Sequence, residues 1–375
     1  MEYPLLTTAG ERAKTVFKKT KCFTLGTRVM KIEELGAPGY ERVVLASDNA
    51  TGLRSIIAIH STKLGPAAGG CRMFNYDSID AAKIDVLRLA KGMTYKNAAA
   101  SLPLGGGKSV IIADPHTDKT PELMQSFGKF VNLLAGTYYT AEDVGISVED
   151  IAEAAKFTTY AAGLSNGPFA SGDPSPVTAH GVFLCMQIAA KYGLGSSDLK
   201  GKTVAVQGLG HVGMHLCQHL HDAGATIIAT DINSAAIEEA KSRFGTTIVE
   251  PDAIYSVQAD IFAPCAMGAS ISSTSIAQLN AKVVAGAANN QLADENCGQL
   301  LADKGILYAP DYVVNGGGII NVAAEILKIS DQAWVNQKVE RLADTTDQIL
   351  GKAARNGTLP HMVADQFVDE ILARA

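Results

Sequence analysis

The segment from Thr203 to Asp231 constrains this chain more than any other. Five residues of strand character, Thr203-Val204-Ala205-Val206-Gln207, run into Gly208-Leu209-Gly210-His211-Val212-Gly213, after which the pattern turns helical from Val212 to His221. A second apolar strand, Ile227-Ile228-Ala229-Thr230, ends at Asp231. Glycines so placed between strand and helix form a dinucleotide fingerprint: Gly208 permits the tight turn, Gly210 the approach of a pyrophosphate, and Gly213 close helix–strand packing. The helix N-terminus adds N–H groups and a partial positive charge for the phosphates. Asp231 falls at about the 20-residue offset of the ribose-binding acid, where it accepts from a 2′-hydroxyl and repels a 2′-phosphate. NAD is therefore expected over NADP. Leu209, His211 and Val212 complete the turn. Ala266 and Asn289, beyond later strands of the same pattern, are assigned to the same cofactor.

That pattern continues on both sides. A helix over about 178–192 precedes it, and a helix Ser234 to Phe244 and strands at Asp260 to Ala263 and Lys282 to Ala285 follow. Alternating strands and helices imply a parallel, doubly wound sheet. The 375 residues suit two domains. The densest breaker cluster, Asn166-Gly167-Pro168 and Ser171 to Pro176, places a hinge near 166. The expected α/β architecture is thus a catalytic domain of residues 1–165 and a Rossmann-type domain of 166–345.

In the first part, Val43-Val44-Leu45 and Ile56 to Ile59 read as strands joined by a turn at Asn49 to Gly52. A helix from Ile79 to Lys96 is expected to turn Ile84, Leu87 and Met93 to one face. Ser109 to Ala113 reads as a buried strand stopped by Asp114-Pro115, and Glu122 to Ala135 and Glu149 to Ala155 as helices. Residues 1 to about 40, with basic Lys18, Lys19 and Lys21, read as a solvated arm. The tail from Gln332 to Ala375 is helical, broken at Asn356-Gly357.

Composition excludes several classes. A net charge of −6 without a basic stripe argues against nucleic acid. No segment has the apolar length to span a bilayer, and none of residues 1–21 forms a leader's apolar core. The six cysteines lack ligand spacing and read as reduced thiols of a cytoplasmic protein. His211 and His215, four apart, have no acid or cysteine beside them at ligand spacing, so no metal is expected.

Chemistry concentrates on Leu104-Gly105-Gly106-Gly107-Lys108. The glycines expose backbone to a ligand, and burial near a second cation, Lys96, pulls a lysine amine toward neutrality. Asp143, after Tyr138 to Glu142, could exchange protons with substrate nitrogen or tune Lys108. Asn289-Asn290 stands where open α/β sheets bind ligands.

These segments resemble the amino-acid dehydrogenase family of glutamate, leucine, phenylalanine and valine dehydrogenases, with its leucine-type branch the most alike. The likeness runs from about Ile56 to Glu325 and includes Leu64 to Met73, Gly92 to Ala99, Gly105 to Ile111 and Thr140 to Gly145. It continues through Gly172 to Ala179, Ala285 to Leu292 and Tyr308 to Asn315. The resemblance implies that Lys108 is the catalytic lysine and Asp143 its proton-handling carboxylate. Lys96 would bind the substrate α-carboxylate, Gly69 and Gly70 would be among the substrate-binding residues, and Asn290 would lie near the amine. Thr178 resembles the residue that holds the nicotinamide carboxamide.

The implied reaction is reversible NAD-dependent oxidative deamination of an L-amino acid to its 2-oxo acid and ammonia. The resemblance also implies a homo-oligomer, dimer or octamer, with a C-terminal helix, about 346–375, returning to the first domain. Ala68 and Val322 stand where glutamate-type enzymes carry a lysine and a serine, so a charged side chain is disfavoured. With Ala141 and Ile319 they outline an apolar pocket, best suited to leucine and other branched-chain substrates. Leucine-type enzymes usually have leucine at the Ala68 position; the smaller residue widens the pocket and keeps a phenylalanine dehydrogenase as the alternative. Phenylalanine-type enzymes tend to have glycine at Ala141. A non-catalytic NAD-binding regulatory protein is the rival from another class.

Overall fold

The computed structural model describes residues 20–25 and 28–375. The first unit comprises β1 (Thr20–Leu25), β2 (Arg28–Glu34), β3 (Arg42–Asp48), β4 (Leu53–Ser61), β5 (Ala67–Phe74), α1 (Ile79–Ala99), β6 (Gly105–Ile112), α2 (Pro121–Asn132), β7 (Tyr138–Ala141) and α3 (Val148–Ala155). Its seven strands form one sheet in the order β1-β2-β3-β4-β6-β5-β7. The pairs from β1 through β4 to β6 are antiparallel, whereas β5 runs parallel to β6 and β7. Both faces are covered, which is why Ile56 to Ile59 is a continuous apolar run rather than an alternating one. Ile57, Met73 and Ile111 pack against Leu123, Phe127 and Phe130 of α2. On the other face, Ile56, Ala58 and Val110 pack against Ala82, Val86 and Ala90 of α1.

Three readings of this region need correction, and one strand went unread. Residues 28–34 are not a solvated arm but β2, with Met30 and Ile32 in the core; β1 extends the same sheet, and residues 1–19, including Lys18 and Lys19, lie outside the described residues. The buried stripe of α1 is Ala82, Val86, Ala90 and Thr94, and Ile84 is 70% exposed. Large apolar residues suggested the wrong face because the helix lies too close to the sheet for anything but small ones. The strand expected at Ser109 begins at Gly105, so the glycines lie inside β6 and not in a loop. Finally, Ala67–Phe74 is a strand although its small residues carry weak β-propensity.

The second unit contains α4 (Ser175–Leu194), β8 (Thr203–Gln207), α5 (His211–Asp222), β9 (Thr226–Thr230), α6 (Ser234–Phe244), β10 (Thr247–Ile248), β11 (Ile261–Pro264), α7 (Ser273–Gln278), β12 (Val283–Val284), α8 (Cys297–Asp303) and β13 (Leu307–Tyr308). Then follow α9 (Asp311–Val314), α10 (Gly317–Ile326), α11 (Gln332–Asn356) and α12 (Pro360–Arg374). All six strands are parallel, in the order β10-β9-β8-β11-β12-β13. This is the doubly wound order, with its crevice between β8 and β11. Val204 and Val206 face α4 and α5, while Ala205 faces the opposite layer with Phe262.

Two features join the units. The linker before α4 is pinned by Glu325 of α10, whose carboxylate accepts from Gly163 N (2.8 Å), Ser171 N (3.1 Å) and Ser171 Oγ (2.7 Å). The C-terminal helix α12 returns to the first unit, where Val363, Ala364 and Val368 pack with Ala98 and Ala99 of α1. Gly357, with φ +63°, makes the break between α11 and α12. Among the described residues, no helix is long and apolar enough to cross a membrane.

Candidate active site

The parallel trio β5, β6 and β7 collects the polar groups. Register places Gly70 beside Ala141 and Ala68 beside Gly106, so β5 runs between the strand bearing Lys108 and the segment bearing Asp143. Glycines make this proximity possible. A Cβ on Gly70 would stand 2.9 Å from that of Asp143 and would strike the Glu142 carbonyl; one on Gly106 would strike the backbone of Thr94 in α1. Tyr138 locks the arrangement by donating to the Gly69 carbonyl at 2.7 Å.

Lys108 is 5% exposed, and its Nζ lies 3.1 Å from Asp143 Oδ2. The same oxygen accepts from Arg72 Nε at 3.1 Å. Burial would push the Asp143 carboxyl up, but Lys108 and Arg72 outweigh it and hold Asp143 below the usual carboxylate range. Lys96, in the last turn of α1, reaches across the cleft: Nζ donates to Asn289 Oδ1 at 2.7 Å, and Asn315 Nδ2 donates to that oxygen at 2.8 Å. Withdrawal from water pulls the Lys96 ammonium down to about 8; Asp311 opposes this, Lys108 reinforces it and Asp143 opposes it. Asp311 accepts from Gln291 N at 2.7 Å, and its burial raises its carboxyl.

These groups line a cleft of about 350 Å³ between the two units. Its first-unit wall holds Ala68, Gly69, Gly70, Lys96, Lys108 and Asp143. Ala141, Ile319 and Val322 belong to its apolar lining, together with Tyr139 and Ile326. Thr178, Val212, Asn289 and Asn290 face them from the second unit. Thr178 Oγ1 donates to the Pro174 carbonyl at 2.9 Å, and Asn290 is held at φ +51°.

The remaining residues assigned to the cofactor lie on the second sheet, in and around the β8–α5 turn. Gly208 has φ +102°, accessible to glycine without strain, and a Cβ there would stand 2.9 Å from the backbone nitrogen of Ala266. Gly210 precedes His211 at the start of α5 and no side chain caps that helix, so its first N–H groups are available to an anion. No atom lies within 4 Å of a Cβ built on Gly210, whereas one on Gly213 would strike the Gly208 carbonyl. Asp231 is fixed across the turn, accepting from Leu209 N at 2.5 Å and Asn233 N at 2.8 Å. An uncapped helix start beside an open glycine, with a carboxylate beyond the next strand, fits a dinucleotide.

Sequence reasoning assigned no role to Arg72, Asp85, Asp311 or Asn315. Arg72 was legible in principle: a lone charge inside a strand of alanine, glycine and cysteine has to be paired. Asp311 and Asn315 carry no such mark: the approach of Asp311 to Lys96 depends on how the two units pack, and that of Asn315 to Asn289 on the fold of the second unit.

Comparison with known proteins agrees with this architecture. Residues 41–160 match the family model described as Glu/Leu/Phe/Val dehydrogenase, dimerisation domain. Residues 171–242 and 232–358 match that of Glutamate/Leucine/Phenylalanine/Valine dehydrogenase. A leucine dehydrogenase of Bacillus cereus is 49% identical over 334 residues, covering 89% of this chain and 91% of that protein. A phenylalanine dehydrogenase of Bacillus thermotolerans is 44% identical over 360 residues, 95% of this chain and 93% of that one. The crystal structure of L-tryptophan dehydrogenase from Nostoc punctiforme has a TM-score of 0.79 at 41% identity, over 90% of this chain and 96% of that one. With matching models over both units, the chain belongs to the glutamate/leucine/phenylalanine/valine dehydrogenase family.

Proposed function

We propose that this protein is an NAD-dependent L-amino-acid dehydrogenase acting on branched-chain aliphatic substrates, leucine foremost. L-amino acid, water and NAD⁺ give 2-oxo acid, ammonium, NADH and a proton. The observation that carries the reading is the Lys108–Asp143 pair, 3.1 Å apart, in a cleft lined also by Lys96 and by apolar side chains.

Lys96 binds the α-carboxylate, at the part of the cleft that Gly69 and Gly70 also line. Fixing both the carboxylate and the side chain leaves Cα with one orientation, which is the positional part of catalysis. Lys108 Nζ takes the proton released when water adds to the imino carbon, and Asp143 exchanges protons with the departing nitrogen. A bound nicotinamide would supply the two-electron acceptor; Thr178 would hold its carboxamide end, the Gly208–Gly213 turn its pyrophosphate and Asp231 its ribose. The carboxylate of Asp231 favours NAD over NADP.

Ala68, Ala141, Ile319 and Val322 accommodate an apolar side chain and offer no partner to a distal carboxylate. One observation favours a second reading: Ala68 is small and fully buried at the pocket wall, leaving room for an aromatic ring. Initial rates of NADH formation on leucine, valine, isoleucine, phenylalanine and glutamate test both. Leucine is expected to have the highest kcat/KM and glutamate the lowest; phenylalanine first would establish the second reading, and no turnover on any would defeat both.

We assign the protein to the cytoplasm, because Cys71, Cys185, Cys217, Cys265 and Cys297 are free thiols. We further propose a homo-oligomer, dimer or octamer, assembled through the first unit, where the matching model is named for dimerisation. Light scattering after gel filtration measures the copy number.

A further inference from the structure

Arg72 is the one charged residue of β5, whose other members are Ala67, Ala68, Gly69, Gly70, Cys71, Met73 and Phe74. A guanidinium in so buried a strand has to be paired, and Arg72 is paired twice. Nε donates to Asp143 Oδ2 and Nη1 to Asp85 Oδ2, each at 3.1 Å. Asp85, on α1, is fixed in turn by Tyr76 Oη at 2.7 Å and Arg88 Nη2 at 2.9 Å. The Asp143 oxygen that takes Arg72 also takes Lys108 Nζ at 3.1 Å.

We propose that Arg72 is a positioning residue for the proton-exchanging pair: clamped by Asp85, its guanidinium fixes Asp143 Oδ2 against Lys108 Nζ, and its charge sets the pH range in which the pair works. The inference rests on the reading of Lys108 and Asp143 as the groups that move protons. The fork is specific to arginine, because two nitrogens of one rigid plane serve two carboxylates; a lysine ammonium is a point charge that reaches one of them.

The charge argument has a definite sign. Removing a cation beside the pair favours its more protonated form, so the acid limb of kcat/KM moves to higher pH. The other ionisable groups facing Asp143 come from several elements. They are Lys108 on β6, Lys96 on α1 and Glu142 next in the chain, with Asp85 on α1 joined through Arg72. The phenols of Tyr76 and Tyr138 and the thiol of Cys71 complete the set. All of these stay in place when Arg72 alone is changed.

The experiment compares pH profiles of kcat/KM and kcat for the full chain, with NAD and leucine, in wild type, Arg72→Gln and Arg72→Lys. Arg72→Gln should move the acid limb up by about one unit or more, as expected for loss of an adjacent opposite charge, and lower kcat. Arg72→Lys should keep the limb near its wild-type position while kcat still falls, since one carboxylate is released. A limb that stays put in Arg72→Gln, or rises equally in both variants, overturns the proposal. A merely structural role would reduce amplitude without moving the limb. Should Arg72→Gln fail to fold, Arg72→Lys decides through kcat: an unchanged value overturns the clamp. Absence of turnover in the wild type on every apolar amino acid defeats the reading of the site, whereas an active wild type with an unmoved limb defeats this inference alone.

Discussion

Gly105, Gly106 and Gly107 lie in extended backbone inside a sheet covered on both faces; Gly208, Gly210 and Gly213 form a turn at the end of a strand. In the first cluster no residue has a positive φ, and what matters is the missing Cβ: α1, the Ser61 carbonyl and the Tyr138 ring occupy that space. In the second, Gly208 needs φ +102° and Gly210 faces open space at a helix start. One cluster answers to its own fold and brings Lys96 and Lys108 to a common cleft. The other leaves open space at an uncapped helix start. Identical residues in a row therefore say nothing about a ligand until the surrounding backbone is known.

The largest expected effect tests what the first cluster carries. Lys108→Ala should lower kcat by on the order of 10²–10⁴ while leaving NAD binding, followed by calorimetry, nearly unchanged. If the variant remains active, the amine beside Asp143 is not the base.

Next, Gly106→Ala should destabilise the fold by roughly 1–3 kcal/mol through overpacking against Thr94, lowering Tm without selectively weakening NAD. Gly210→Ala, whose Cβ meets open space, should leave Tm close to wild type and weaken NAD. A reversed pair of outcomes would break the comparison.

Ala68→Leu narrows the pocket and should raise the kcat/KM ratio of leucine over phenylalanine by about 10–100-fold, the worth of one or two methylenes. Paired initial rates measure it, and an unchanged ratio removes Ala68 from the pocket wall.

The smallest effect is a pH dependence. Lys96 is cationic below its value of about 8 and neutral above it, so KM for the amino acid should rise above pH 8, by at most about tenfold per unit, with KM for NAD steady. A flat KM through pH 9.5 would separate Lys96 from the α-carboxylate.

Much of the second unit was legible because its determinants are local. Strand, turn, helix and acid follow one another between Thr203 and Asp231, and each is set by near neighbours: Gly208 by its φ, α6 by its Asn233 cap and its Gly245 end. The first unit was read less well where contacts are distant in sequence. Ile84 suggested one helix face, but the sheet admits only Ala82, Val86 and Ala90 at that distance. β5 was missed because its small residues are chosen by the strands on either side.

By itself, the order of residues determined the glycine-rich strand–turn–helix and the two-part α/β plan, and it singled out Lys96, Lys108 and Asp143 as candidates. Periodicity, turn chemistry and residue type act over a few positions and survive without a fold. Only the tertiary structure decided that Arg72 shares one Asp143 oxygen with Lys108, that Asn289 meets Lys96 across the cleft, and that the three glycines belong to packing. Those are distances of a few ångströms between groups tens to hundreds of residues apart, and strand register and interunit packing alone set them.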